Sequence, residues 1–380
     1  MLRFLFAAAI SVLAATHVSA QSVETKAGQA ILVDHETGTV LFAKNADEQI
    51  PPASLAKLMT MEVVFDALRR GRIGLQDTVR VSEDAWRRGG ESSGGSTMFL
   101  SVNSEVSIED LIRGVIVQSG NDASIALAEA IAGSEQTFAR LMNDRARAIG
   151  MNNSSFRNAT GLPDPEQRVT LRDMVTLARH LFETYPEYYR IYAEDSFTWN
   201  RIRQPNRNPV LTMGIGGDGL KTGYTEESGY ALVASAEQEG DRLFLAMSGL
   251  ESANDRRTEA RSLLLWGFRS FERRRLFERG ETVAELRVFG GDAATVPVRA
   301  EAPVDLFLPL TGREQLKAEI VYDGPIRTPV EAGERIATLR VTRAGEVTQE
   351  TPLFAAESVG SGPLYSRAFD AVRESLVFWE

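Results

Sequence analysis

Pro51-Pro-Ala-Ser-Leu-Ala-Lys-Leu-Met-Thr-Met-Glu62 opens a helix. Proline suits the first positions of a helix, and the apolar spacing continues from about Ser54 to Arg70, where Gly71 stops it. Inside the opening turn lies Ser54-Leu-Ala-Lys57, an S-x-x-K. Residues three apart share a helix face, so the hydroxyl and the amine are neighbours. A serine hydroxyl is a poor nucleophile until a base takes its proton. Lys57 is the nearest candidate, provided it is neutral, which burial or a second positive charge would bring about. Alone, the four residues equally describe Ser54 as an N-cap and Lys57 as a solvent-facing helix residue.

The wider composition narrows the chemistry. The chain has 380 residues, 42 Lys+Arg and 52 Asp+Glu, for a formal net charge of −10. That length suits two domains, and that charge argues against nucleic acid as a partner. The absence of cysteine removes thiol nucleophiles, zinc–thiolate sites, iron–sulfur clusters and disulfides. Of the 3 histidines, His17 lies in a segment expected to be removed, leaving His35 and His180. No three-histidine metal site can form from those, and neither a metal nor a cofactor is expected. A Ser-His-Asp triad through His35 or His180 competes with their placement as surface or core residues. Lysine occurs only at Lys26, Lys44, Lys57, Lys221 and Lys317. Because arginine cannot act as a proton acceptor, the positions that keep lysine are informative.

Residues 1–20 read as a secretory signal peptide: Arg3, an apolar core from Phe4 to Ala15, and Val18-Ser-Ala20 as the cleavage site. The apolar run is short for a membrane span, so a periplasmic location is expected. Ala30 to Lys44 reads as a β-hairpin, and the glycine-rich residues 82–97 as a mobile loop. Helices are expected over Ile108–Val117, Asn121–Ala132, Leu171–Tyr185 and about Arg257–Phe271. Gly214–Gly219 reads as a flexible turn, and Ala231–Ala236 and Leu243–Met247 as strands. After about residue 275 short alternating runs between Gly/Pro turns predict an all-β domain over 276–362. The tail, 363–380, places Phe369, Val372, Leu376 and Trp379 on one stripe, either lying in a membrane interface or packed on its own domain.

Two further motifs accompany the first. Ser119-Gly-Asn121 stands at a helix start; Ser101-Val-Asn103 and Ser252-Ala-Asn254 match the same pattern, and helix capping explains such residues equally well. Lys221-Thr-Gly223 offers a cation, a hydroxyl and a residue without a side chain, so an extended peptide can approach that strand closely. Lys221 could supply the second charge acting on Lys57, or simply protect an edge strand.

Taken together and in this order, the three motifs resemble the serine penicillin-recognising enzymes. The chain is most similar to the low-molecular-mass penicillin-binding proteins that are D-alanyl-D-alanine carboxypeptidases. The resemblance rests on Pro52-Ala-Ser-Leu-Ala-Lys-Leu-Met59, Gln118-Ser-Gly-Asn-Asp-Ala123, Asn158-Ala-Thr-Gly-Leu162, Asn206-Arg-Asn208, Gly219-Leu-Lys-Thr-Gly-Tyr-Thr225 and Leu264-Leu-Trp-Gly-Phe268. It implies an α/β (α+β) catalytic domain over 21–275, with an antiparallel sheet flanked by helices, followed by the smaller all-β domain. It implies Ser54 as the acyl-accepting nucleophile, Lys57 as its base and Ser119 as a proton relay. Asn121 would hold the substrate amide, and Lys221 and Thr222 beside Gly223 would bind the terminal carboxylate. Arg256, or its neighbour Arg257, would add to the carboxylate region. The backbone N–H groups of Ser54 and Tyr224 would form the oxyanion hole. Family members often carry His where this chain has Tyr224, which changes the pocket's shape and leaves a backbone role intact. The implied substrate is a peptidoglycan stem peptide ending in D-Ala-D-Ala, with β-lactams as covalent inhibitors, a role in the cell wall and cell shape, and a tail touching the inner membrane. A class A-like β-lactamase is the alternative, although no E-x-x-L-N is present; a D,D-endopeptidase uses the same acyl chemistry, and a non-catalytic wall-binding protein would keep the fold alone.

Overall fold

The computed structural model describes residues 23–310 and 316–364. The expected signal peptide and the expected apolar stripe of the tail therefore lie outside the described residues.

The catalytic part is built on a five-stranded antiparallel sheet: β1 (Gln29–Asp34), β2 (Val40–Lys44), β3 (Gly217–Thr225), β4 (Gly229–Gln238) and β5 (Asp241–Leu250), in the order β2-β1-β5-β4-β3. The expected hairpin is β1–β2, and the two strands expected over 231–247 are β4 and β5. Side chains alternate across the sheet because the strand period is two. Ile31, Val33, Val233, Phe244 and Ala246 face one core, whereas Ala30, Leu32, Leu232, Ala234 and Leu245 face the other. Both faces are covered, so these strands read as almost continuous apolar runs.

Helix α5 (Ala253–Ser270) covers the second face. Ser252 caps it by accepting from Asp255 N–H, which starts the helix earlier than the apolar spacing implied. At Gly267 a Cβ would stand 2.7 Å from Leu243 Cδ1 and 2.8 Å from Leu32 Cδ2, so glycine lets the helix sit tightly on the sheet. On the first face lie α1 (Lys57–Arg69), α2 (Ile108–Ile116), α3 (Asn121–Ala132) and α4 (Leu171–Thr184). Residues 57–68 of α1 are all buried. A helix buried on every side belongs at the centre of its layer, and its polar members need partners. Thr60 Oγ1 donates to Ala159 O, and Glu62 bonds Arg145 with His180 Nε2 3.3 Å away.

Two expectations are corrected. Residues 83–89, read as part of a mobile loop, are helical, because Ser82 accepts from Ala85 N–H and Glu83 and Asp84 occupy the first turn. The Gly214–Gly219 turn is shorter than expected. Gly214 and Gly216 have positive φ, but Gly217 to Gly219 already belong to β3.

After α5 the strand Phe271–Phe277 pairs with Val304–Pro309, and a six-stranded sheet packs Val296, Val298, Leu339 and Leu353 into a separate core. The two parts touch where Thr39 Oγ1 donates to Gln349 Oε1 at 2.8 Å and Arg343 donates to Leu41 O at 2.6 Å.

Candidate active site

Ser54 lies in a single 3-10 turn, Ala53–Ala56, directly ahead of α1. The turn opens with Ala53 in left-handed backbone at φ 47. Its carbonyl faces Gly161, where a Cβ would fall 1.8 Å from Ala53 O at a φ of +80, so only glycine fits. From the opposite side Gly223 of edge strand β3 closes on the turn, and a Cβ there would stand 3.2 Å from Ala53 Cβ and 3.4 Å from Pro52 O. Tyr224 is therefore brought beside the Ser54 turn, with its own side chain 54% exposed.

Neither alternative reading of the S-x-x-K fits. Ser54 makes no side-chain cap, and Lys57 is 1% exposed. Lys57 Nζ lies 3.1 Å from Ser54 Oγ and 2.7 Å from Asn121 Oδ1, and it also bonds the Thr160 carbonyl. Burial pushes the Lys57 amine down to about 7, and the Arg207 guanidinium pushes the same way against Asp122 and Glu135. The Thr160 carbonyl is held by Asn158. Its Oδ1 accepts from Thr160 N, Thr160 Oγ1 and Gly161 N, and its Nδ2 donates to Leu162 O.

Ser119 precedes α3, and the N-cap is Gly120 without a side-chain bond, so Ser119 caps nothing. It sits in left-handed backbone at φ 60, is 3% exposed, and its Oγ has no hydrogen-bond partner among the described residues. Asn121 begins α3 and thereby reaches Lys57. Asp122 beside it accepts from Thr97 Oγ1, Met98 N and Leu100 N, tying the 97–100 segment to the helix.

Lys221 occupies the middle of β3, 4% exposed, and donates to Thr222 O at 2.9 Å. Burial pushes its amine well below the ordinary lysine range, and Lys57, Arg207 and Arg256 add to this. Lys57 and Lys221 disfavour one another's charge, and Arg207 adds a positive charge that bears on both. Arg207 donates to Ser96 Oγ at 2.7 Å. Arg256, half-buried, adds its charge to the field on Lys221, whereas Arg257 is exposed. Ser54, Lys57 and Asn121 are joined directly, Ser119 lies two residues before Asn121, and Lys221, Thr222, Gly223 and Tyr224 follow one another along the edge strand beside the turn. His35 packs against Phe182 and Phe244, and His180 faces Glu62, so neither meets Ser54. Beside the turn opens a cleft of about 750 Å³ whose walls include Pro52, Ala53, Leu162 and Tyr224.

Thr160 and Arg207 had no role assigned from the sequence, although both lie in motifs that carried the resemblance. A backbone carbonyl leaves no side-chain signature, and Arg207 is one arginine among many.

Residues 15–251 match the family described as D-alanyl-D-alanine carboxypeptidase, and residues 271–361 match the penicillin-binding protein 5 C-terminal domain. D-alanyl-D-alanine carboxypeptidase DacC of Escherichia coli (strain K12) is 40% identical over 380 residues, covering 99% of this chain and 94% of that one. The crystal structure of penicillin-binding protein 5 from Haemophilus influenzae is 37% identical, with a TM-score of 0.77, and the match covers 90% of this chain and 100% of that one. Penicillin-binding protein D2 from Listeria monocytogenes, in its ampicillin-bound form, is 27% identical with a TM-score of 0.57, covering 65% of this chain and 99% of that one.

Proposed function

The chain belongs to the D-alanyl-D-alanine carboxypeptidase family, and from that premise we propose that Ser54 is the residue acylated in a serine D,D-carboxypeptidase reaction on peptidoglycan stem pentapeptides. The observation that carries this is the buried Lys57 amine, 3.1 Å from Ser54 Oγ and lowered to about 7. A neutral amine has two N–H bonds and one lone pair. Asn121 Oδ1 and Thr160 O accept the two N–H bonds, which leaves the lone pair for the Ser54 hydroxyl. Lys57 takes that proton as Ser54 Oγ attacks the carbonyl between the two D-alanines. The backbone N–H groups of Ser54 and Tyr224 receive the developing oxyanion, and such donors contribute about 3 kcal/mol each in acyl transfer. The Ser119 hydroxyl, buried without a hydrogen-bond partner among the described residues, relays that proton from Lys57 to the departing amine as the peptide C–N bond breaks and terminal D-Ala leaves. Water then hydrolyses the acyl-enzyme. Asn121 orients the substrate amide. Lys221, Thr222 and Arg256 receive the terminal carboxylate, whose negative charge favours a Lys221 amine that takes up a proton from solvent. A β-lactam carries a reactive carbonyl and a carboxylate and acylates the same hydroxyl.

This assignment is coupled to export: the proposed signal peptide takes the chain to the periplasm, where stem peptides lie, and the tail brings it to the inner membrane. Ser54→Ala protein should take no covalent label from a fluorescent penicillin and release no D-Ala from a pentapeptide. Labelling of that variant at the unsubstituted rate would remove Ser54 from the mechanism.

A further inference from the structure

Arg256 lacks the kind of partner that usually fixes a guanidinium. Among the described residues it forms no ion pair with a carboxylate, and its Nε is buried without a hydrogen-bond partner. What it does meet is an aromatic face, since its guanidinium carbon lies 5.4 Å from the centroid of the Tyr230 ring. Tyr230 is in turn packed against Tyr224, with ring centroids 4.5 Å apart. The two tyrosines are directly paired across β3 and β4, and Tyr224 follows the Lys221-Thr222-Gly223 run. A chain of ring contacts therefore runs from the edge strand, through the tilted Tyr224–Tyr230 pair, to Arg256 in the first turn of α5.

We propose that Tyr230 is a positioning residue for the substrate's carboxylate: its ring, backed by Tyr224, holds the Arg256 guanidinium toward Lys221. The inference rests on the carboxylate role given to Arg256 above and extends it to a residue that touches no substrate. A cation held over a ring keeps its N–H groups free, whereas a salt bridge would occupy them and cancel the charge. A ring is thus a suitable support for an arginine that must still receive an anion. Because Tyr230 belongs to the sheet and Arg256 to the helix, the stack also fixes the spacing between the two elements that frame the carboxylate position.

The test compares a D-Ala-D-Ala peptide bearing a free carboxylate with the same peptide ending in an amide. Tyr230→Leu should raise KM for the carboxylate peptide about two- to thirtyfold, the range a cation–ring contact spans, with kcat within about twofold. Its kinetics on the amide peptide should stay unchanged. Tyr230→Phe, which keeps the ring, should behave as the unsubstituted protein. Arg256→Ala should reduce the preference for the carboxylate to what Lys221 and Thr222 supply, and adding Tyr230→Leu to it should cost nothing more. Retention of the full preference by Tyr230→Leu while Arg256→Ala reduces it would overturn the inference, as would equal losses in the Phe and Leu variants or additive losses in the double variant. Retention of the full preference by Arg256→Ala is a distinct result, which removes the carboxylate role of Arg256 itself. Tyr230→Met, with similar bulk and no ring, serves in the same comparison if the leucine variant does not fold.

Discussion

Acylation of Ser54 should follow the protonation of Lys57, because a protonated amine has no lone pair to accept the hydroxyl proton. With the amine lowered to about 7, the reactive fraction is about 1% at pH 5, about 10% at pH 6 and about 90% at pH 8. The rate of labelling by a fluorescent penicillin should therefore rise about tenfold per pH unit below 7 and level off above it, about ninetyfold in all between pH 5 and 8. Rapid-mixing measurement of the second-order labelling rate reads this step directly, without product release. Arg207→Gln removes a positive charge that lowers Lys57, so the rising limb should move to higher pH while the plateau persists. Lys57→Arg keeps a cation that does not surrender its proton and should not label at any pH in this range. A flat profile, a midpoint near the ordinary lysine value of 10.5, or a shift to lower pH in Arg207→Gln would refute Lys57 as the base.

The same lowering carries a stability signature. A lysine whose folded pKa is about 7 against an unfolded 10.5 is protonated more readily in the unfolded chain, so stability should rise by up to about 5 kcal/mol between those pH values. Lys57→Met should lack that rise when urea unfolding is compared across pH, and an identical slope in both proteins would contradict the burial of a charged-state-averse amine. Gly161→Ala forces a Cβ into the Ala53 carbonyl at positive φ and should lower stability by about 2 kcal/mol or more and abolish labelling, read by thermal melting and gel fluorescence. Burial alone would raise the Glu62 carboxyl, but His180 and Arg145 hold it below its usual value, so its stabilising effect should be present at neutral pH and fade as acid protonates it. Glu62→Ala should cost about 3 kcal/mol at pH 7 and flatten the acid limb of stability, and an unchanged acid limb would show that Glu62 does not govern it. KM for a carboxylate-terminated peptide should rise as pH rises, because the lowered Lys221 must be protonated to receive the anion, and a pH-independent KM would remove its charge from binding.

The parts legible in the sequence are those where chemistry restricts residue type. Ser54, Lys57 and Lys221 stand out because few side chains can attack a carbonyl or accept a proton, and because this chain uses lysine so sparingly. The hairpin, α3 and the edge position of Lys221 follow from alternation and spacing that the packing respects. Other features depend on what the chain meets in three dimensions. Residues 83–89 are short and glycine-flanked, and their helix becomes recognisable through the Ser82 cap and two acidic residues in its first turn. The start of β3 at Gly217 is hidden because glycines that read as a turn are there to pass close to Val210 and Tyr192. Thr160 acts through its carbonyl, and Asn158 acts by folding the loop that presents it, so both look from the sequence like ordinary polar loop residues.

The division between lysine and arginine in the site follows from what each has to do. Burial first, and then the mutual repulsion among Lys57, Lys221, Arg207 and Arg256, weakens the hold of the lysines on their protons, while arginine keeps its own. Lysine at 207 or 256 would relieve the crowding by losing its own charge, and the field that lowers Lys57 would weaken. Arginine at 57 would keep the charge and offer no base. The arginines are thus the fixed part of the field and the lysines the part that responds. A substrate carboxylate entering beside Lys221 and Arg256 brings one negative charge and restores one proton to Lys221, so the net charge near Lys57 changes little and its amine remains available to Ser54. An amide-terminated peptide brings no such charge and leaves the Lys221 amine lowered by burial and its cationic neighbours. In the proposed mechanism, preference for a free C-terminus and activation of the serine therefore draw on one cluster, which is why a single substitution at Arg207 should shift the pH profile of acylation and one at Arg256 should shift the preference between carboxylate and amide.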